Sequence, residues 1–104
     1  MNKEMLFLAR FEKDVLAEKK TITIRDEADS HYEPGSVVDA IIYEEGRMFC
    51  QLEVVGNEPV LLSELNEVHA REENMSLTQL RIVLEEIYPG TEQLFVVSFR
   101  LVKK

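Results

Sequence analysis

The amino-acid sequence predicts an α+β domain built on a small, curved or barrel-like sheet flanked by helices. Two observations carry that expectation. Runs with the two-residue period of a strand outnumber segments with a helical period, and neighbouring runs are placed to pair antiparallel. The order is strand, short helix, several strands, two helices and a final strand.

Met5 to Ala9 is short and apolar and predicts a first strand ending near Arg10. Phe11, Val15 and Leu16 follow at helical spacing, which gives one or two turns to about Ala17. Thr21 to Arg25 alternates as a half-buried strand, with Thr21, Thr23 and Arg25 on one face and Ile22 and Ile24 on the other. The acidic stretch Asp26 to His31 reads as an exposed loop, and Pro34-Gly35 as a turn. Ser36 to Tyr43 and Arg47 to Val55, separated by Glu44-Glu45-Gly46, predict an antiparallel hairpin. Gly56 and Pro59 then interrupt, leaving a short strand at Val60 to Leu62. Ser63 is placed to cap a helix through about Ala70 that buries Leu65 and Val68. Ser76-x-x-Gln79 is a capping-box pattern opening the clearest helix, with Leu77, Leu80, Val83, Leu84 and Ile87 on one stripe and Pro89-Gly90 as its stop. Leu94 to Leu101, rich in Phe and Val, makes the last strand.

The 104 residues, 1–104, amount to one domain with a modest core. At 45% hydrophobic and 31% charged, the composition is that of a soluble globular chain. Twenty acidic against 12 basic side chains leave a net charge of −8. Such a surface repels a phosphate backbone, so stable binding of an RNA or DNA strand is disfavoured, whereas a small uncharged nucleoside is not repelled. Cys50 is the single cysteine, which excludes an internal disulfide and fits a reducing compartment. The segment Met1 to Arg10 lacks a signal-peptide pattern, and no run approaches the ~20 apolar residues of a membrane span. The expected location is the cytoplasm.

Chemistry concentrates at Lys19-Lys20-Thr21-Ile22-Thr23-Ile24-Arg25, where a strand carries two hydroxyls and a guanidinium on its polar face. A threonine hydroxyl needs a base within hydrogen-bond reach to act as a nucleophile. Lys20 can be that base if burial or a neighbouring cation depresses its pKa, with Lys19 and Arg25 as candidate cations. Three residues apart on a regular strand, Lys20 and Thr23 point to opposite faces, so Lys20 must lie in the preceding turn. The competing reading is a solvated turn lysine. Arg25, one pleat from Thr23, is placed to bind a substrate carbonyl or a developing oxyanion; the competing reading is an ion pair with Asp26, Glu27 or a remote carboxylate. His69 and Glu73 share a face at i,i+4 spacing, but no Cys/His cluster supports a metal site, and none is expected. Glu72-Glu73-Asn74 by itself reads as a solvated acidic loop, and Cys50 as a core residue.

Lys20 to Asp26, His69-Ala70-x-x-Glu73-Asn74-Met75 and Ile87-Tyr88-Pro89-Gly90 together resemble the ASCH family, in its small single-domain branch of bacterial N(4)-acetylcytidine amidohydrolases. The likeness runs from Phe11 to the final strand. It implies a PUA-like fold, a small mixed or antiparallel β-barrel flanked by helices. It also implies a hydrolase without metal or cofactor that converts N(4)-acetylcytidine to cytidine and acetate. By position, Lys20 matches the family's base, Thr23 its nucleophile and Glu73 its acid; an ionised Glu73 that orients Lys20 is the other role open to it. One departure stands out: ASCH proteins often carry glycine two residues before the lysine, and here it is Glu18. That residue bears on the turn geometry and brings a carboxylate within reach of Lys20.

Two other readings compete. A non-catalytic ASCH or PUA-like module that binds RNA requires a continuous basic face around Lys19, Lys20 and Arg25, and acidic Glu18, Asp26, Glu27 and Asp29 interrupt it. A small-ligand binder without turnover is the third.

Overall fold

A computed structural model describes residues 2–103. Strand β1 (Lys3–Phe7) leads through a 3₁₀ turn (Ala9–Phe11) into the short helix α1 (Glu12–Leu16). Strand β2 (Ile22–Arg25) and a second 3₁₀ turn (Glu27–Asp29) follow, then strands β3 (Val37–Ile42) and β4 (Arg47–Leu61). A third 3₁₀ turn (Leu62–Glu64) precedes helices α2 (Glu67–Glu72) and α3 (Leu77–Ile87), and strand β5 (Gln93–Leu101) closes the fold. The five strands form one curled sheet in the order β1-β3-β4-β5-β2. β1 pairs parallel with β3, Met5 opposite Ala40, and every other pairing is antiparallel. β1 and β2 are therefore the two edges of the sheet.

The β3–β4 hairpin forms as expected. Its turn needs Gly46 in the left-handed region (φ 66), where its N–H donates to the Ile42 carbonyl at 2.8 Å. The expected break of β4 at Gly56 and Pro59 does not occur. A register shift between Val54 and Gly56 absorbs the glycine as an irregularity in the ladder with β5. Pro59 lies beyond Arg47–Glu53, the part of β4 that pairs with β3, so only β5 flanks it. Such an edge position tolerates a residue without an N–H.

The helix expected from Ser63 begins later. Leu65 is extended (ψ 139) and 3% exposed, and Asn66 supplies the cap. Asn66 Oδ1 accepts from the Val68 N–H at 2.9 Å, while His69 Nδ1 accepts from the Asn66 N–H at 3.2 Å. Pulling Leu65 into the core forces that delay and turns Val68 outward, where it is exposed rather than buried. The capping box of α3 is present as read: Ser76 Oγ accepts from the Gln79 N–H, and Gln79 Oε1 accepts from the Ser76 N–H, both at 3.1 Å.

Two apolar clusters hold these elements. One lies against the sheet and includes Met5, Phe7, Val38, Leu52, Val54, Val97 and Phe99, with Val15 from α1 and Tyr32. The other packs Leu80 and Leu84 of α3 and Ala70 of α2 against Ile22, Ile24, Val60 and Leu94. β2 separates them. Its isoleucines belong to the helical cluster, while the Arg25 guanidinium lies over Phe7 and Tyr32 of the sheet cluster, at 5.5 and 5.8 Å from the ring centroids. All four β2 residues are buried, so the strand expected to be half-buried is covered on both faces. Among the described residues no helix is long and apolar enough to cross a membrane.

Candidate active site

A cavity of about 350 Å³ lies between the two sheet edges. Leu6 and Phe7 of β1 and Thr23, Ile24 and Arg25 of β2 line it, together with Lys20, Glu73, Phe11 and the α3 side chains Val83, Leu84 and Ile87. The edges do not pair there; instead Arg25 Nη2 donates to the Leu6 carbonyl and spans the gap. The volume is near the lower end of the range for small-molecule sites. Lys20, Thr23, Arg25 and Glu73, the four residues singled out in the sequence, meet in this one space and are 3–7% exposed.

Lys20 arrives by way of the end of α1. The Lys19 N–H reaches back to the Asp14 carbonyl at 2.9 Å and the Glu18 N–H to Val15 at 3.1 Å, the paired bonds of a Schellman turn. Glu18 takes the left-handed position, with φ 60. The Lys20 N–H also bonds the Asp14 carbonyl, at 3.1 Å, which fixes the backbone just before β2 starts. The geometric condition read from the spacing is met: Lys20 lies in the turn, not on the strand, so it shares a cavity with Thr23.

Glu73 arrives by the same device at the end of α2. Met75 N–H bonds the Ala70 carbonyl and Asn74 N–H the Arg71 carbonyl, each at 3.0 Å, with Asn74 left-handed at φ 58. Glu73 is the C-cap and is 5% exposed, so it is not part of a solvated acidic loop. The two turns are clasped to each other. Thr21 N–H donates to the Glu72 carbonyl at 2.8 Å, and Asn74 Nδ2 donates to Asp14 Oδ1 at 3.2 Å.

Across this clasp Lys20 Nζ contacts Glu73 Oε1. Among the described residues, no other donor reaches that oxygen. The Phe11 ring covers the ammonium, its centroid 4.9 Å from Nζ. Burial, then the nearby Arg25 charge, push the Lys20 pKa down to about 7, with Asp14 opposing them. Burial is the largest of these influences, because it removes the ammonium from water.

Thr23 Oγ1 accepts a hydrogen bond from Arg25 Nε at 3.1 Å. Arg25 Nη1 donates to Asp29 Oδ2 at 2.7 Å, and Tyr88 Oη donates to the same oxygen at 3.0 Å. Arg25 thus both touches the hydroxyl and forms an ion pair, with a carboxylate other than the two adjacent ones named from sequence. His69 turns toward the Asn66 N–H and Glu73 toward Lys20, so the i,i+4 pair does not converge. Among the described residues no cluster of three His, Cys, Asp or Glu side chains is arranged to hold a metal.

Solved structures share this fold. The chain superposes with a TM-score of 0.80 on a protein of Enterococcus faecalis V583 at 17% identity, covering 98% of this chain and 77% of that one. With an ASCH domain from Lactobacillus crispatus JV V101 the TM-score is 0.76 at 14% identity, over 95% and 79% of the two chains. Identities this low bear on the fold alone. No protein-family model matches the chain. Sequence relatives are far closer. The chain is 54% identical over 99 residues to the N(4)-acetylcytidine amidohydrolase of Vibrio vulnificus (strain YJ016), covering 95% of each. It is 50% identical over 103 residues to that of Edwardsiella ictaluri (strain 93-146), covering 99% of this chain and 96% of the other. The chain belongs to the N(4)-acetylcytidine amidohydrolase family.

Within this amidohydrolase family member, the departure at Glu18 is resolved by the backbone. Its side chain leaves the cavity and pairs with Lys103 Nζ at 2.8 Å instead of with Lys20. The left-handed conformation that glycine adopts freely is kept, at the strain a β-carbon brings. Three contributors to the site escaped the sequence: Asp29, Tyr88 and Phe11. Asp29 stands four residues after Arg25 in an acidic run that looked solvated, and Tyr88 stood only within the family motif Ile87-Tyr88-Pro89-Gly90, with no role of its own. Phe11 carried the first apolar position of a short helix and gave no sign of covering a charge.

Proposed function

We propose that this chain removes the acetyl group from N(4)-acetylcytidine, giving cytidine and acetate, with Thr23 as nucleophile, Lys20 as base and Glu73 as acid. One observation carries the reading: a lysine with a depressed pKa and a buried carboxyl share the cavity in which a threonine hydroxyl is held by a guanidinium. Close relatives bearing that enzyme's name support the substrate.

The starting pair holds one proton, on Glu73, with Lys20 as the free amine. Lys20 takes the Thr23 proton as the oxygen attacks the acetyl carbonyl. Arg25 Nε–H, already directed at Thr23 Oγ1, stabilises charge developing on that oxygen. Collapse breaks the amide C–N bond while Glu73 protonates the exocyclic nitrogen, and cytidine leaves. The acetyl ester on Thr23 is then attacked by water. Water gives a proton to Glu73, Lys20 returns its proton to the threonine oxygen, acetic acid departs and the pair is restored. Loss of activity follows as the pH falls through the depressed Lys20 pKa of about 7, because the amine is then protonated and cannot act as a base.

The test is incubation with N(4)-acetylcytidine and chromatography of the nucleosides. Cytidine appearing with wild-type protein and not with Thr23→Ala supports the reading; no cytidine from the wild type overturns it. A free nucleoside is the expected substrate in preference to the same base in an RNA strand, because the −8 charge repels a polyanion. Equal or faster cleavage within an acetylated oligonucleotide contradicts that preference.

A further inference from the structure

We infer that Asp29 and Tyr88 are positioning residues, which hold the Arg25 guanidinium so that its Nε–H is aimed at Thr23 Oγ1. The inference rests on the proposed role of Thr23 and goes beyond it to two residues that line the same cavity and are hydrogen-bonded to neither Lys20, Thr23 nor Glu73. An arginine side chain has four rotatable bonds and keeps no single orientation without partners. Here each of its nitrogens has one. Nη2 is fixed by the Leu6 carbonyl of β1, Nη1 by Asp29 Oδ2 at 2.7 Å, and Nε is left to the nucleophile at 3.1 Å. Phe7 and Tyr32 lie against the guanidinium and restrict its tilt.

Asp29 alone is a weak anchor, since its side chain is 45% exposed and an exposed carboxylate pairs loosely. Two further bonds remove that freedom. The Asp29 N–H is held by Asp26 Oδ1 at 3.0 Å, which caps the 3₁₀ turn. Tyr88, at the C-cap of α3, donates its hydroxyl to the oxygen that Arg25 uses. Burial and the adjacent Asp29 charge raise the Tyr88 pKa, so it remains a donor throughout the working range. The path from the end of α3 to the nucleophile is continuous: Tyr88, Asp29, Arg25, Thr23.

The experiment combines a mutant cycle with a spectroscopic reading that needs no turnover. Asp29→Ala lowers kcat by about ten- to a hundred-fold, the scale of a misplaced reacting group, while Tyr88→Phe, which removes one hydrogen bond, lowers it by about three- to ten-fold. In an Arg25→Ala background neither substitution slows the reaction further, because both act through the guanidinium. Losses that simply multiply in the double variants overturn the inference. In ¹⁵N-edited NMR the Arg25 Hε exchanges slowly in the wild type and at least about ten-fold faster in Tyr88→Phe and Asp29→Ala. Unchanged exchange in both also overturns it, even with wild-type protein inactive on N(4)-acetylcytidine; that inactivity counts against the proposed function alone. Tyr88→Phe removes one oxygen and keeps the partly buried ring, so it reports even where Asp29→Ala fails to fold.

Discussion

The turn that follows α1 and the turn that follows α2 are the same Schellman device with different residues at the left-handed position. After α1 that residue is Glu18, whose β-carbon makes φ 60 strained. After α2 it is Asn74, one of the few residue types that enters this region readily, and its side chain is also used, donating to Asp14. Lys20 lies two residues beyond the first left-handed residue, and Glu73 one residue before the second. The buried pair is therefore assembled by two helix ends, not by the sheet. The sheet supplies the other half, Thr23 and Arg25. Strain is tolerated at Glu18 because the hydrogen bonds around it, from Lys19 and Lys20 to Asp14, fix the backbone whatever the side chain.

Changing what each turn delivers has the largest expected effect. Lys20→Arg keeps a cation at the end of the first turn but cannot act as a base, since a guanidinium stays protonated at any working pH. It lowers kcat by ~10³-fold, close to Lys20→Ala, in steady-state assays. Substantial rescue by arginine shows that the first turn delivers only charge. Glu73→Gln at the second turn lowers kcat by about 10²-fold. The pH profile then separates its roles: loss of the alkaline limb marks an acid, and a shifted acidic limb marks a group that tunes Lys20.

Changing the turns themselves has smaller effects. Asn74→Ala places a β-carbon residue without a side-chain donor at φ 58, losing the left-handed preference and the bond to Asp14. The expected loss is ~1–2 kcal/mol, a fall in Tm of roughly 5–10 °C, measured by thermal melts. Glu18→Gly relieves strain at the first turn and stabilises the fold by up to ~1 kcal/mol, the gain being trimmed by glycine's greater freedom when unfolded. The lost pair with Lys103 is exposed on both sides and contributes little. A marked loss of stability in Glu18→Gly shows that the glutamate is there for its side chain and that the two turns are not alike.

Local patterns carried much of this in the sequence. The alternation from Thr21 to Arg25 gave β2 within one residue, and Ser76-x-x-Gln79 gave the start of α3, because both depend on residues within four positions. What stayed hidden depends on distant partners. Nothing near Gly56 or Pro59 reveals that β5 runs alongside and carries β4 through them. The burial of Glu73 depends on Lys20 and on the clasp between Asp14 and Asn74, far apart in the chain. The meeting of Lys20 and Thr23 was legible in their spacing, Glu73 joined them only through a family resemblance, and the Asp29–Tyr88 bond had no signal in spacing at all.

In the proposed mechanism Thr23 forms a covalent bond to the acetyl group. Acid quenching of the protein during turnover of N(4)-acetylcytidine, followed by mass spectrometry of the peptide containing Thr23, measures it directly. The expected result is an acetyl adduct on Thr23 in the wild type, a retained adduct with measurable turnover in Thr23→Ser, and neither adduct nor cytidine in Thr23→Ala. Full turnover in Thr23→Ala contradicts the covalent route and leaves Lys20 or Glu73 to activate a water instead.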